Sequence, residues 1–182
     1  DQMFKSALRN ARVYGEYGCG QSTRYVAQNT SLNIVSVDSS EDWVTRIRAE
    51  IENKTGNGRT LAVEFIDLGP IGNWGMPTTY SARDEFDRYT GHLWRQDIKP
   101  DLVLIDGRFR VCCFFTTLLN AEKGTKIIFD DYLDRPQYHV VEEFLKPSET
   151  CGRQALFVVP TRDNLDLNQI QREINRFQLV MN

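Results

Sequence analysis

Short, nearly continuous apolar runs rich in β-branched residues alternate along the chain with longer stretches whose apolar positions recur every three or four residues. The short runs are 12–17, 33–38, 61–67, 101–106 and 126–131. Each is too brief for a helix and apolar on successive residues, which is how a strand buried on both faces reads. The longer stretches are 22–28, 42–52, 82–94, 110–121 and 137–145, with Trp43, Ile47 and Ile51 marking one helical face. This alternation predicts a right-handed, doubly wound α/β sheet of mostly parallel strands.

The pattern changes toward the C-terminus. Thr150 and Cys151, then Gly152, then 154–159 read as strands joined by a turn with no long helix between them, so the last strand is expected to run antiparallel. Asp163 or Asn164 is expected to cap a final helix whose apolar face is Ile170, Ile174, Phe177 and Met181. The least regular stretch, 68–79, holds Gly69, Pro70, Gly72, Gly75 and Pro77 around Trp74. Loops of that length in a compact domain usually carry function or move. No repeat or linker marks a boundary, so 1–182 is expected to be a single domain with one core.

Composition narrows the partners. Lys+Arg 22 against Asp+Glu 25 leaves a net charge of −3 without a basic run, so attraction to nucleic acid backbones has no support. No apolar stretch approaches the roughly 18 residues of a membrane helix, so a membrane is not expected either. Cys19, Cys112, Cys113 and Cys151 show no CxxC spacing, which argues against a zinc knuckle or a disulfide framework and suits reduced thiols in a cytoplasm.

Candidate chemistry gathers where the strands end, the usual ligand edge of an open α/β sheet. After the first strand comes Glu16-Tyr17-Gly18-Cys19-Gly20-Gln21-Ser22-Thr23, in which two glycines allow a tight turn and close approach to a ligand. The dinucleotide fingerprint wants a third glycine where Thr23 stands, so an NAD(P) reading is weakened but stays open, as does an empty glycine turn. The second strand ends in Asp38, and 38 − 18 = 20, the spacing at which an acid reaches a ribose. The plainer alternative is that Asp38, with Ser39 and Ser40, caps the following helix. Asp67, Asp106 and the pair Asp130–Asp131 close the next three strands.

Arg108, Arg110 and Arg135 follow those acids. They suit a carboxylate or phosphate on a substrate, or more plainly they neutralise the aspartates. His139 is a candidate base, although it and His92 also read as surface residues. Phe86 and Trp94 are expected in the core, and Cys112 and Cys113 are expected to pack as small apolar groups.

The run from Val13 through Glu16, Gly18, Gly20, Ser22 and Thr23, followed by Asp38, resembles the first two motifs of class I S-adenosylmethionine-dependent methyltransferases. The phrases DLVLIDGRFR and IIFDDY resemble the fourth and fifth strands of small-molecule members, and the closing hairpin matches their antiparallel last strand. The resemblance spans about 12–160 and implies a Rossmann-like fold. It further implies that Glu16, Gly18, Gly20 and Ser22 line the methionine part of S-adenosylmethionine, that Asp38 holds the ribose, and that Asp67 lies near adenine.

The implied reaction is methyl transfer to an oxygen or nitrogen of a small molecule, with Asp106, Asp131 and His139 as candidate catalytic residues. A carboxylate-rich pocket favours a sulfonium cation and repels a pyrophosphate, so charge agrees with the missing glycine. Asp106, Asp130 and Asp131 also resemble, more distantly, the magnesium ligands of the catechol methyltransferase group, but that group has an Asp-Asn pair, and the expectation here is no metal. The N-terminal helices that cover substrate in many relatives are expected to be absent or very short. Substrate contacts would then come from the Gly/Pro/Trp loop, the final helix or a partner subunit of a homo-oligomer. The rival readings are a methyltransferase-like binding or interaction module without turnover, and an NAD(P)-dependent oxidoreductase.

Overall fold

The computed structural model describes residues 2–52 and 58–181. A short helix α1 (Gln2–Leu8) precedes the alternating run of β1 (Val13–Tyr17), α2 (Gln21–Asn29), β2 (Asn33–Asp38), α3 (Glu41–Ile51), β3 (Leu61–Phe65), α4 (Phe86–Gly91), β4 (Leu102–Ile105), α5 (Arg110–Asn120) and β5 (Lys126–Phe129). A hairpin of β6 (Glu149–Cys151) and β7 (Gln154–Val158) and the helix α6 (Leu167–Phe177) complete the chain. The strands form one sheet in the order β3-β2-β1-β4-β5-β7-β6. β1 to β5 pair in parallel, and β7 enters antiparallel between β5 and β6. The order reverses between β1 and β4, so the crevice at their carboxyl ends is the expected ligand site.

Alternation along each strand divides the core into two layers. Tyr14, Ile34, Val63, Leu104 and Ile128 face α1, α2 and α3. Tyr17, Val37, Ile105, Phe129 and Phe157 face α5 and α6. In the second layer α5 is buried almost all round, and Phe114 meets Phe157 edge-on with ring centroids 4.9 Å apart. Phe86, Trp94, Cys112 and Cys113 lie in this layer, as their apolar character suggested.

Several elements depart from the sequence reading. The stretch 82–94 is not one helix: α4 is flanked by 3-10 turns Arg83–Glu85 and His92–Trp94. The Tyr17 hydroxyl donates to the Thr90 carbonyl at 2.6 Å, an acceptor that a continuing α-helix would have offered to its own chain. Residues 137–145 become a 3-10 helix, Pro136–Glu143. The α6 cap is Asp166, which accepts from the Gln169 amide at 2.9 Å, whereas Asp163 and Asn164 lie in the preceding 3-10 turn. α1 packs Met3, Phe4, Ala7 and Leu8 against the sheet; seven residues are too few to show a helical period in the sequence.

The loops after β1 and β4 touch backbone to backbone. Gly18 has φ +88, and a Cβ there would lie 2.9 Å from Gly107 Cα. A Cβ on Gly107 would lie 2.2 Å from the Tyr89 hydroxyl and 2.6 Å from the Gly18 nitrogen. Gly107→Ala should therefore cost about 1–3 kcal/mol and lower the melting temperature by several degrees. Adding Tyr89→Phe should restore only part of this, because the Gly18 backbone still blocks the methyl group. Calorimetric melting of both variants tests it, and a wild-type melting point for Gly107→Ala would disprove the contact.

Candidate active site

Glu16, the last residue but one of β1, has only 1% of its surface exposed. One carboxylate oxygen accepts from the Ser22 hydroxyl, and the other accepts from Thr23 Oγ1 at 2.6 Å. Thr23 Oγ1 in turn accepts from the Gly20 amide at 2.9 Å. The glycine turn is thus fastened to the first turn of α2 through a buried acid. Thr23, which stands where a dinucleotide fold has glycine, is a fastener; its signal in the sequence is an acid at a strand end followed seven residues later by a hydroxyl. Burial pushes the Glu16 carboxyl up to about 8 against the opposing effect of Ser22 and Thr23, with Asp106 adding repulsion.

Asp38 ends β2 half-buried. Its Oδ2 accepts from the Cys19 amide and its Oδ1 from the Ser40 amide, each at 2.9 Å. The α3 cap is Ser40, whose hydroxyl accepts from the Trp43 amide, so Asp38 is a clasp between the β1 and β2 loops and not the cap itself. Each oxygen accepts one amide and keeps acceptor capacity for a further donor. The Trp43 indole N–H donates to the Cys19 carbonyl on the same turn.

The Gly/Pro/Trp loop folds back as a small hairpin beside this clasp. Ile71 and Pro77 form a bridge, Gly72 N–H donates to the Met76 carbonyl at 2.8 Å, and the Ser39 hydroxyl donates to the Gly75 carbonyl at 2.7 Å. Trp74 sits at its tip with φ 60 and 91% of its surface exposed. Asp67 is exposed at the base, accepting from the Gly69 amide at 2.8 Å.

The acids of β4 and β5 face a different chemistry. Asp106, Asp130 and Asp131 bring ligand oxygens within 4.8 Å of one another. Arg110, whose side chain is 3% exposed, donates to Asp106 Oδ1 at 3.1 Å and to Asp131 Oδ2 at 3.2 Å. Arg153 pairs with Asp130 at 2.6 Å and with Asp131 at 3.1 Å, and Arg135 pairs with Asp131 at 2.8 Å. Gln154 donates to Asp130 at 2.7 Å. A divalent cation here would have to displace guanidinium groups from all three acids, so the residues do not fit a metal centre. Arg153 and Gln154, on the β6–β7 turn and β7, were not legible from the sequence.

Asp106 remains the most open of the three, with 40% of its side chain exposed. Burial and then the neighbouring Asp130 raise its carboxyl to about 7, against the opposing Arg110. It lines a cavity of about 620 Å³ together with Ser22, Tyr25, Leu104, Asp130 and Gln154. His139 is not part of this lining. Its ring lies 4.8 Å from that of Tyr132, and Nε2–H donates to the Tyr132 carbonyl at 3.1 Å.

On one edge of the sheet, then, Glu16, Ser22, Asp38 and Asp106 come together around the Gly18–Gly20 turn. This donor set suits a cationic nucleoside: Asp38 has acceptor capacity for ribose hydroxyls, and no arginine or lysine ion pair answers Glu16 or Asp38 among the described residues. The raised Glu16 pKa also has a measurable sign. Its contribution to stability is fully present below the ordinary value of 4.5 and is lost as pH rises through about 8. Stability measured by urea unfolding should therefore fall between these pH values more steeply in the wild type than in Glu16→Gln, by at most about 1.4 kcal/mol per pH unit. Parallel curves for the two proteins would show that Glu16 ionises normally.

No protein-family model and no curated protein matches the chain. Among solved structures, a methyltransferase-like protein from Silicibacter pomeroyi DSS-3 is 30% identical, with a TM-score of 0.86 over 97% of this chain and 92% of that one. An O-methyltransferase from Bacillus cereus in complex with SAH is 19% identical, with a TM-score of 0.56 over 87% of this chain and 80% of that one. The O-methyltransferase TomG from Streptomyces achromogenes in complex with SAM is 16% identical, with a TM-score of 0.57 over 88% and 78%. The last two speak to the fold alone. With a near full-length relative at 30% identity, and with the glycine turn, strand-end acids and reversed last strand in place, the chain belongs to the class I S-adenosylmethionine-dependent methyltransferases.

Proposed function

We propose that the chain transfers the methyl group of S-adenosylmethionine to an oxygen or nitrogen of a small molecule. The observation that carries this reading is the pair of acids, Glu16 and Asp38, held at the β1 and β2 ends by hydroxyls and amides instead of basic side chains. Burial holds the Glu16 carboxyl up at about 8 in the ligand-free protein; a bound sulfonium favours its ionised form and is stabilised by it and by Asp38, whereas the pyrophosphate of NAD would disfavour that ionisation and meet like charge at Asp38. The cofactor supplies an activated methyl group. The chain's own work is to bind and orient: Asp38 accepts from the ribose, the Glu16–Ser22–Thr23 unit fixes the turn under the methionine part, and the Trp74 hairpin flanks the adenine side.

In this reading the acceptor's reacting atom lies at Asp106, which borders the 620 Å³ cavity. Asp106, with its carboxyl near 7, takes the acceptor's proton at a carboxylate oxygen while the acceptor atom is held in line. Asp131 and His139 are weaker candidates for that step, because three guanidiniums already engage Asp131 and a backbone carbonyl holds the His139 ring. Four free thiols fit a reducing cytoplasm, and no helix among the described residues is long and apolar enough to cross a membrane.

S-adenosylhomocysteine should raise the melting temperature and NAD should not. Asp38→Ala should weaken S-adenosylhomocysteine about 10–100-fold, the loss expected for charge-assisted hydrogen bonds of about 1.5–3 kcal/mol, with the protein still folded. A shift with NAD alone would overturn the cofactor assignment, and unchanged affinity in the variant would reduce Asp38 to a clasp. Turnover, read as labelled methyl transfer across a metabolite panel, separates an enzyme from a binding module. Once an acceptor is found, EDTA should leave the rate unchanged and added magnesium should not raise it. Loss of activity on chelation would show that a cation displaces the arginines.

A further inference from the structure

Four arginines stand among the β4, β5 and β7 ends, and they do not behave alike. Arg110, Arg135 and Arg153 each pair with at least one of Asp106, Asp130 and Asp131. Arg108 pairs with none of them: among the described residues its guanidinium makes no ion pair or hydrogen bond, and its Nε is buried without an acceptor. Of the four guanidiniums, Arg108 alone has no carboxylate partner among the described residues. Burial and repulsion from Arg110 both disfavour its charge, while the hydroxyls of Tyr89 and Tyr138 and the Asp106 carboxylate favour it.

The backbone under Arg108 is fixed on every side. Asp106 N–H donates to the Tyr17 carbonyl at 3.0 Å, and Arg108 N–H donates to the Tyr89 hydroxyl at 3.1 Å. Arg110 Nε donates to the Gly107 carbonyl at 3.1 Å, and Phe109 takes a left-handed conformation with φ 53. The side chain is therefore presented from a rigid turn two residues beyond Asp106 while its own donors stay unused. A buried donor without an acceptor is costly, and for a guanidinium an anionic acceptor gives the strongest hydrogen bonds.

We propose that Arg108 is the anchor for a carboxylate on the methyl acceptor, so that the substrate class is a small carboxylic acid. This rests on the methyltransferase reading of the same crevice. A carboxylate matches the planar guanidinium fork, and its single charge meets less repulsion from Asp106, Asp130 and Asp131 than a phosphate dianion would. In the reading above the methionine part of the cofactor lies over the Gly18–Gly20 turn.

The test follows the Arg108 Nε–H resonance, identified by its loss in Arg108→Gln, while benzoate is added to the protein with and without saturating S-adenosylhomocysteine. Benzoate should shift that resonance to saturation at millimolar concentration, bind at least tenfold more weakly to Arg108→Gln, and bind more tightly than inorganic phosphate. S-adenosylhomocysteine should bind the variant within twofold of wild type. No benzoate binding, equal binding to the variant, or a preference for phosphate overturns the proposal. A matching loss of S-adenosylhomocysteine affinity also overturns it, since Arg108 would then hold the cofactor. If S-adenosylhomocysteine fails to bind the wild type, the cofactor assignment falls, and the benzoate titration of the ligand-free protein still decides Arg108.

Discussion

The approach of Gly18 to Gly107 sets the geometry of the crevice. Two loops from neighbouring strands meet with no side chain between them, and the Tyr89 hydroxyl fills the remaining space at the Gly107 side. Everything placed by those loops inherits this distance: Glu16 and the turn before α2 on one side, Asp106, Arg108 and the start of α5 on the other. Tyr17 extends the same arrangement inward, donating to Thr90 and accepting from the Trp94 indole at 3.1 Å, so the broken helix at 83–94 serves as a brace behind the loops.

The sheet edge is also divided electrically. At β1 and β2 the acids are held by hydroxyls and backbone amides, with no basic side chain paired to them among the described residues. At β4 and β5 the acids are met by guanidinium groups from three separate segments. A cationic donor and an anionic acceptor could therefore lie side by side, each in the half that suits it, with Asp106 at the border.

Much of this was legible in the sequence because parallel strands bury both faces and leave continuous apolar runs ending in polar residues. The β2 run 33–38 is reproduced residue for residue, and Glu16, Gly18, Gly20, Ser22, Asp38 and Asp106 do meet at one edge. What was not legible depends on distance in the chain. Arg153 and Gln154 reach Asp130 across more than twenty positions, and nothing local to the hairpin marks them. Thr23 looked like a departure from a glycine pattern because its use depends on Glu16 underneath it. The 82–94 periodicity was genuine, but a tyrosine from another strand claimed one of its carbonyls. Among the three arginines read as either substrate ligands or counter-ions, only the fold could separate Arg108 from Arg110 and Arg135.

The placement of Arg153 bears on how such a protein can diverge. It belongs to the hairpin that reverses the sheet, far along the chain from Asp130, whose side chain is 2% exposed, yet it meets that acid. Losing the arginine alone would strand a buried carboxylate, and losing the acid alone would leave the hairpin turn without its tether, so either single step is penalised. Lineages would be expected to keep both residues or to exchange them together. The reversed tail would then be inherited as a part of the site, a counter-charge delivered late in the chain to an acid committed much earlier.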